Sequence, residues 1–200
     1  MAIKFQYNKT SLQGLEKQLK IRVNALPTIK NKESALRMEV KRAKDKMNRL
    51  NDELLQKIKA YDDMVTIWGE FDTSLVQFED VHLSIKKIAG VKTPVLEGID
   101  FFIAKFSVFN NPKWFLDGIA IIKELAELGI EREFYQRKME LLDRARKKTT
   151  QKVNLFEKVQ IPGYQDAIRK IKRFMEDEDN LSKSAQKIVK TRQQEMEASQ

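Results

Sequence analysis

The sequence predicts an all-α-dominated fold: a long antiparallel coiled-coil pair of helices, with a short β-hairpin and a short helix inserted between them. Three observations predict it. Apolar residues recur at three- and four-residue steps through the first and last thirds of the chain. The middle switches to a period of two, punctuated by glycine and proline. The composition is 42% hydrophobic and 34% charged, with only 7 glycines and 4 prolines in 200 residues, which suits long helices better than a loop-rich globule. The boundaries follow: an N-terminal coiled-coil helix over 1–75, a hairpin and connecting middle over 76–114, and a C-terminal coiled-coil helix over 115–200, together one elongated domain.

The first helix opens near Asn8, Thr10 or Ser11, all residue types whose side chains cap free backbone N–H groups. Leu12, Leu15, Leu19, Val23 and Leu26 begin its seam. Leu36, Val40, Ala43, Met47, Leu50, Leu54, Ile58, Tyr61, Val65 and Trp68 continue it. Pro27 lies between the two runs. Because the seam resumes beyond it, proline is expected to bend this helix rather than end it.

The middle, "EDVHLSIKKIAGVKTPVLEGIDFFIAKFSVFNNPKW" (residues 79–114), alternates Val81, Leu83 and Ile85 with polar residues. A hairpin is expected at roughly 81–91 and 95–109, with its turn near Lys92–Pro94. An isolated hairpin is marginal, so this one must pack on the helices or on a partner. "NNPKWFLDGIAIIKEL" then restarts a helix, with Asn110 or Asn111 as cap and Pro112 in its first turn.

The returning helix carries Leu142, Ala145, Thr149, Val153, Phe156 and Val159 before Pro162, and Ile168, Ile171, Met175, Leu181, Ala185 and Ile188 after it. Apolar spacing on both sides of the proline predicts one continuous, kinked helix. A helix–turn–helix at "IPGY" stays open as the alternative, as does a compact bundle of four shorter helices in place of the long pair.

The charge is uneven. Residues 1–60 hold 15 Lys/Arg against 6 Asp/Glu, residues 61–130 hold 6 against 11, and residues 131–200 hold 17 against 12, for a net charge of +9. The basic ends lack interleaved aromatics and any nucleic-acid reading motif, so no nucleic-acid partner is expected. Arg42, Lys46 and Arg49 share one side of the first helix, away from its seam, and form a candidate interaction stripe.

There are no cysteines, which excludes disulfides and thiolate metal sites and fits a reducing compartment. The opening "MAIKFQYNKTSLQGLEK" lacks the apolar run of a secretory leader. No stretch approaches the ~18–20 apolar residues of a membrane span. A soluble, cytoplasmic chain without direct membrane insertion is expected. His82 is the single histidine, and the acidic run at 176–180 has no converging ligands. No phosphate loop and no nucleophile–base arrangement is present. The expectation is a non-catalytic chain with no cofactor or metal.

Three stretches carry a family resemblance: "NKTSLQGLEKQLKIRVNALPTIKNKESAL", "IKKIAGVKTPVLE" and "TTQKVNLFEKVQIPGYQDAIRKIKRFMEDED". Together they cover nearly the whole chain, and they resemble the D-subunit family of V-type and archaeal A-type rotary ATPases. In the third stretch Val153, Asn154, Glu157, Ile161 and Pro162 fall on that family's Val-Asn-x-x-Glu-x-x-x-Ile-Pro signature.

The resemblance implies a central rotor shaft with no catalytic residue of its own. It couples ATP hydrolysis or synthesis in a hexamer of A- and B-type subunits to a membrane rotor that moves protons or sodium. It further implies an F-type small stalk subunit and a C/d-type linking subunit as partners, and attachment to the membrane only through the complex. The reading from another class is a cytoplasmic coiled-coil adaptor with no motor role.

Overall fold

A computed structural model describes residues 3–61, 69–105 and 112–198. Helix α1 (Lys9–Ala60) leads to a 3₁₀ turn (Thr73–Leu75), strands β1 (Val76–Ile88) and β2 (Val91–Ile103), and helix α2 (Phe115–Asn154). A π-helical turn (Leu155–Gln160) joins α2 to helix α3 (Ile161–Ala198). Helices dominate, as the spacing predicts. The seam positions Val65 and Trp68, the end of the expected second strand at 106–109, and the caps Asn110 and Asn111 lie outside the described residues.

α1 runs 52 residues, about 78 Å at 1.5 Å per residue. Asn8 caps it: its Oδ1 accepts from the Ser11 N–H at 2.7 Å, and its carbonyl accepts from Leu12 at 3.1 Å. Thr10 and Ser11 lie inside the helix. Pro27 is exposed and does not interrupt it.

The chain divides into two compact units. In the unit formed by 3–31 and 149–198, Leu15, Ala167, Ile168 and Ile171 make the core. Ile3, Phe5, Leu12, Leu19, Tyr164 and Met175 pack around it. Glu16 pairs with Lys172 at 2.9 Å, Arg22 Nε donates to Gln160 Oε1 at 2.8 Å, and Lys30 pairs with Glu157 at 2.7 Å. As α1 advances the partner residue number falls, so the helices here run antiparallel.

The same direction holds in the unit formed by 32–148. Arg132 Nε donates to Asn51 Oδ1 at 3.1 Å, and Lys57 pairs with Glu124. Leu36, Ala43, Leu50 and Leu142 are buried on the predicted seams. Complete burial of one such leucine contributes about 1.5–3 kcal/mol. A second cluster of Phe71, Leu75, Phe115 and Ile119 gathers Val76, Ala104, Trp114 and Ile122. It ties the base of the hairpin to the first turns of α2.

The hairpin turns at Ala89–Gly90, not near Lys92–Pro94 as the sequence suggests. Both turn residues have positive φ, 50° and 84°, the backbone of a two-residue turn whose twist matches that of the strands. Gly90 takes that conformation without steric cost. Pro94 instead sits within β2, opposite Ile85. A two-stranded sheet has only edge strands, so the missing N–H of proline is tolerated. β1 also starts earlier than the alternation indicates, with Val76 opposite Ile103 and Phe78 opposite Phe101. The hairpin lies along α2: Lys123 Nζ sits 5.6 Å from the Phe101 ring centroid, and Val81 and Leu83 share a groove with Ile130 and Phe134.

Pro162 does not end the helix. The Ile161 N–H reaches back to the Phe156 carbonyl, closing a π turn directly before the proline. That wide turn absorbs one extra residue. Val159, expected on the seam, is exposed, and Gln160 and Ile161 turn inward in its place. Gly163 serves packing rather than a turn, since a Cβ there would lie 3.1 Å from Ile3 Cδ1.

Four further seam assignments also fail. Val23, Leu181, Ala185 and Ile188 are exposed. Among the described residues, the Tyr7 ring centroid lies 4.8 Å from that of Phe174 in α3. Every described residue from Glu176 to Ala198 is exposed. Ile58, near the end of α1, is exposed as well.

Candidate interaction surfaces

The predicted site residues separate onto different surfaces. Arg42 and Lys46 line a groove of about 220 Å³ together with Glu39, Ala43, Tyr135 and Lys138. α1 supplies four of these, because positions 39, 42, 43 and 46 share a helix face. Arg49 is exposed and is not among the lining residues. Arg42 is engaged by Glu39 at 2.7 Å. Lys138 Nζ lies 5.6 Å from the Phe134 ring centroid and 5.7 Å from that of Tyr135. Burial pushes its ammonium below the usual lysine range. Glu39 opposes that shift and Lys86 of β1 reinforces it. The spacing along the first helix points to Arg42 and Lys46, but Lys138 comes from about 90 residues away and no local pattern announces it.

The signature residues occupy the π turn and its flanks. Val153 and Ile161 are half-buried, whereas Asn154, Glu157 and Pro162 are exposed. Glu157 has a defined role in packing, as the partner of Lys30 across the helix pair. Both members of that pair are nearly half exposed, so it contributes no more than about 1 kcal/mol.

On the hairpin, His82 Nε2 is 2.7 Å from Asp100 Oδ2. The hydrogen bond and charge of Asp100 raise the imidazole above its ordinary pKa, aided by Asp80 and Glu97. Among the described residues, no three or more His, Cys, Asp or Glu converge as a metal site, and no helix is long and apolar enough to cross a membrane.

The family model for the ATP synthase D subunit matches residues 11–191. The chain belongs to the ATP synthase D-subunit family. Curated relatives agree over nearly the full length. The V-type ATP synthase D subunit of Borreliella burgdorferi is 29% identical over 194 residues, covering 94% of each chain. That of Chlamydia muridarum is 25% identical over 200 residues, covering 98% of each. That of Chlamydia pneumoniae is 28% identical over 183 residues, covering 88% of this chain and 87% of the relative. The D-subunit match takes in the antiparallel helices, the hairpin and the π turn, so the surfaces described above all lie within the family's common region.

Proposed function

We propose that this chain is the central rotor-shaft subunit of a V-type rotary ATPase. It couples nucleotide turnover in an A- and B-type hexamer to rotation of a membrane rotor that carries protons or sodium. It performs no catalysis itself and joins the membrane only through the complex, on its cytoplasmic side. The F-type small stalk subunit and the C/d-type linking subunit complete its neighbourhood.

One observation supports this reading best. α3 continues beyond its last buried residue, Ile171, and every described residue from Glu176 to Ala198 is exposed. That stretch carries Leu181, Ala185 and Ile188 at four- and three-residue steps. An apolar stripe on a bare helix is costly in water and suits a surface that another molecule covers. A hexamer lined by three catalytic interfaces supplies such a cover. An asymmetric helix inside it biases each interface only through differential contacts.

The test adds the purified chain to a hexamer of A- and B-type subunits. ATP turnover is expected to change on addition, while the chain alone neither binds nor hydrolyses ATP. Micromolar nucleotide binding by the chain alone would overturn the rotor role. A hexamer that neither binds the chain nor changes rate in its presence leaves the adaptor role in its place.

A further inference from the structure

We propose that the groove formed by Arg42, Lys46, Tyr135 and Lys138 is a docking socket for an acidic segment of a partner protein, taking two carboxylate side chains. The inference stands on this groove alone and does not depend on the rotor role.

Charge decides the class of occupant. Cationic heads come from α1 (Arg42, Lys46) and from α2 (Lys138), and Lys86 of β1 is close enough to oppose the Lys138 charge. Against them stands Glu39, already engaged by Arg42 at 2.7 Å. Among the described residues, neither Lys46 nor Lys138 has an ion-pair partner. Lysine is a poor residue to hold partly desolvated beside another cation. Lys138 is held so beside the rings of Phe134 and Tyr135; burial lowers its pKa, with Glu39 opposing that shift and Lys86 adding to it. An incoming anion relieves both the mutual repulsion and the lost hydration.

Size decides between a small molecule and a protein segment. Cofactor and nucleotide pockets run to about 300–1,000 Å³ and enclose their ligand. This groove is about 220 Å³ and does not enclose a ligand as such pockets do. At about 30 Å³ per water, it holds some seven waters, enough for two carboxylate heads but not for a nucleotide. The Tyr135 ring and the Ala43 methyl give the stems of such side chains an apolar bed. Carboxylates approaching from one strand or helix also match cations arrayed along two neighbouring helices, as partner docking requires.

The experiment follows the lysine side chains of the full-length protein by NMR during titration with a tetraglutamate peptide at low salt. Lys46, Lys86 and Lys138 are expected to shift first and together, and the Lys138 ammonium to titrate at higher pH when the peptide is bound. Lys138→Gln should weaken binding about fivefold, the equivalent of ~1 kcal/mol for one partly exposed charge pair. Lys92→Gln, at the hairpin tip outside the groove, should leave binding unchanged. Three results each overturn the proposal: equal shifts at lysines all over the surface, no shift at the groove lysines, or the same shifts with inorganic phosphate at matched charge. A tetraglutamine peptide that binds equally well also overturns it.

Discussion

Ile161 donates its backbone N–H to the carbonyl of Phe156, five residues back, and the next residue is Pro162. A proline in a regular helix leaves the carbonyl four residues earlier without its donor and presses its ring against it. The π turn places the widened part of the helix where that conflict falls. Deleting Val159, an exposed residue of the turn, should convert it to a regular turn while keeping Ala167, Ile168 and Ile171 against Leu15. Deleting Lys148, in regular helix, should instead rotate the following seam by about 100°. The expected outcome is a small change in melting temperature for the first deletion and a drop of many degrees for the second. Pro162→Ala should be tolerated or mildly stabilising, with helical circular dichroism retained.

Glycine positions separate by what a methyl group would meet. At Gly118 a Cβ would lie 3.0 Å from Phe71 Cε2 and 3.3 Å from Trp114 Cζ3, within a buried cluster. Overpacking of that kind costs about 1–3 kcal/mol, more than the gain in helix propensity of ~0.5–1 kcal/mol. Gly118→Ala should therefore destabilise by about 1 kcal/mol. Nothing lies within 4 Å of a Cβ at Gly14, so Gly14→Ala should raise the melting temperature by roughly 2–4 °C. Ala89→Gly should also stabilise, because it removes a side chain held at positive φ. Thermal melts of the three variants check the signs.

His82 should titrate above its ordinary value near 6.5, chiefly because Asp100 accepts its hydrogen bond. A pKa raised by folding contributes stability that is fully present below the unfolded value. That stability is lost as pH rises through the folded value. The hairpin should therefore loosen slightly as pH climbs above about 6.5. Following the imidazole protons by NMR checks this, and Asp100→Asn should lower the His82 pKa.

Truncation after Asn180 should remove helical signal without lowering the melting temperature, since no described residue from 176 to 198 is buried. Calorimetry of the two chains compares them directly. A large loss of stability would mean that the exposed stripe already has a partner within the isolated chain.

Much of this architecture is legible in the sequence because heptad spacing and helix direction are local or near-local signals. Leu15, Leu36, Ala43, Leu50, Leu142, Ile168 and Ile171 all stand where the spacing puts them. Periodicity cannot say which stretches meet a facing chain, so Leu181, Ala185 and Ile188 carry an equally good pattern and stand exposed. The hairpin turn is easily misplaced because proline is a stronger punctuation mark in sequence than Ala-Gly, although edge strands accept proline. At the groove, only Arg42 and Lys46 can be found along one helix. Lys138 enters by tertiary packing.

The two strands of the hairpin each expose an outer edge, and Phe78, Ile85, Phe102 and Ile103 leave much of it apolar. Such an edge invites a third strand from another molecule. The pairing slips once on each strand, leaving Glu79 unpaired on β1 and Glu97 unpaired on β2, and Pro94 removes a donor from the edge of β2. A strand seeking to add itself meets a misaligned, charged and donor-poor template. These irregularities make each edge a poor template for strand addition, so deleting Glu79 and Glu97 and replacing Pro94 by valine is expected to trade solubility for fibre growth.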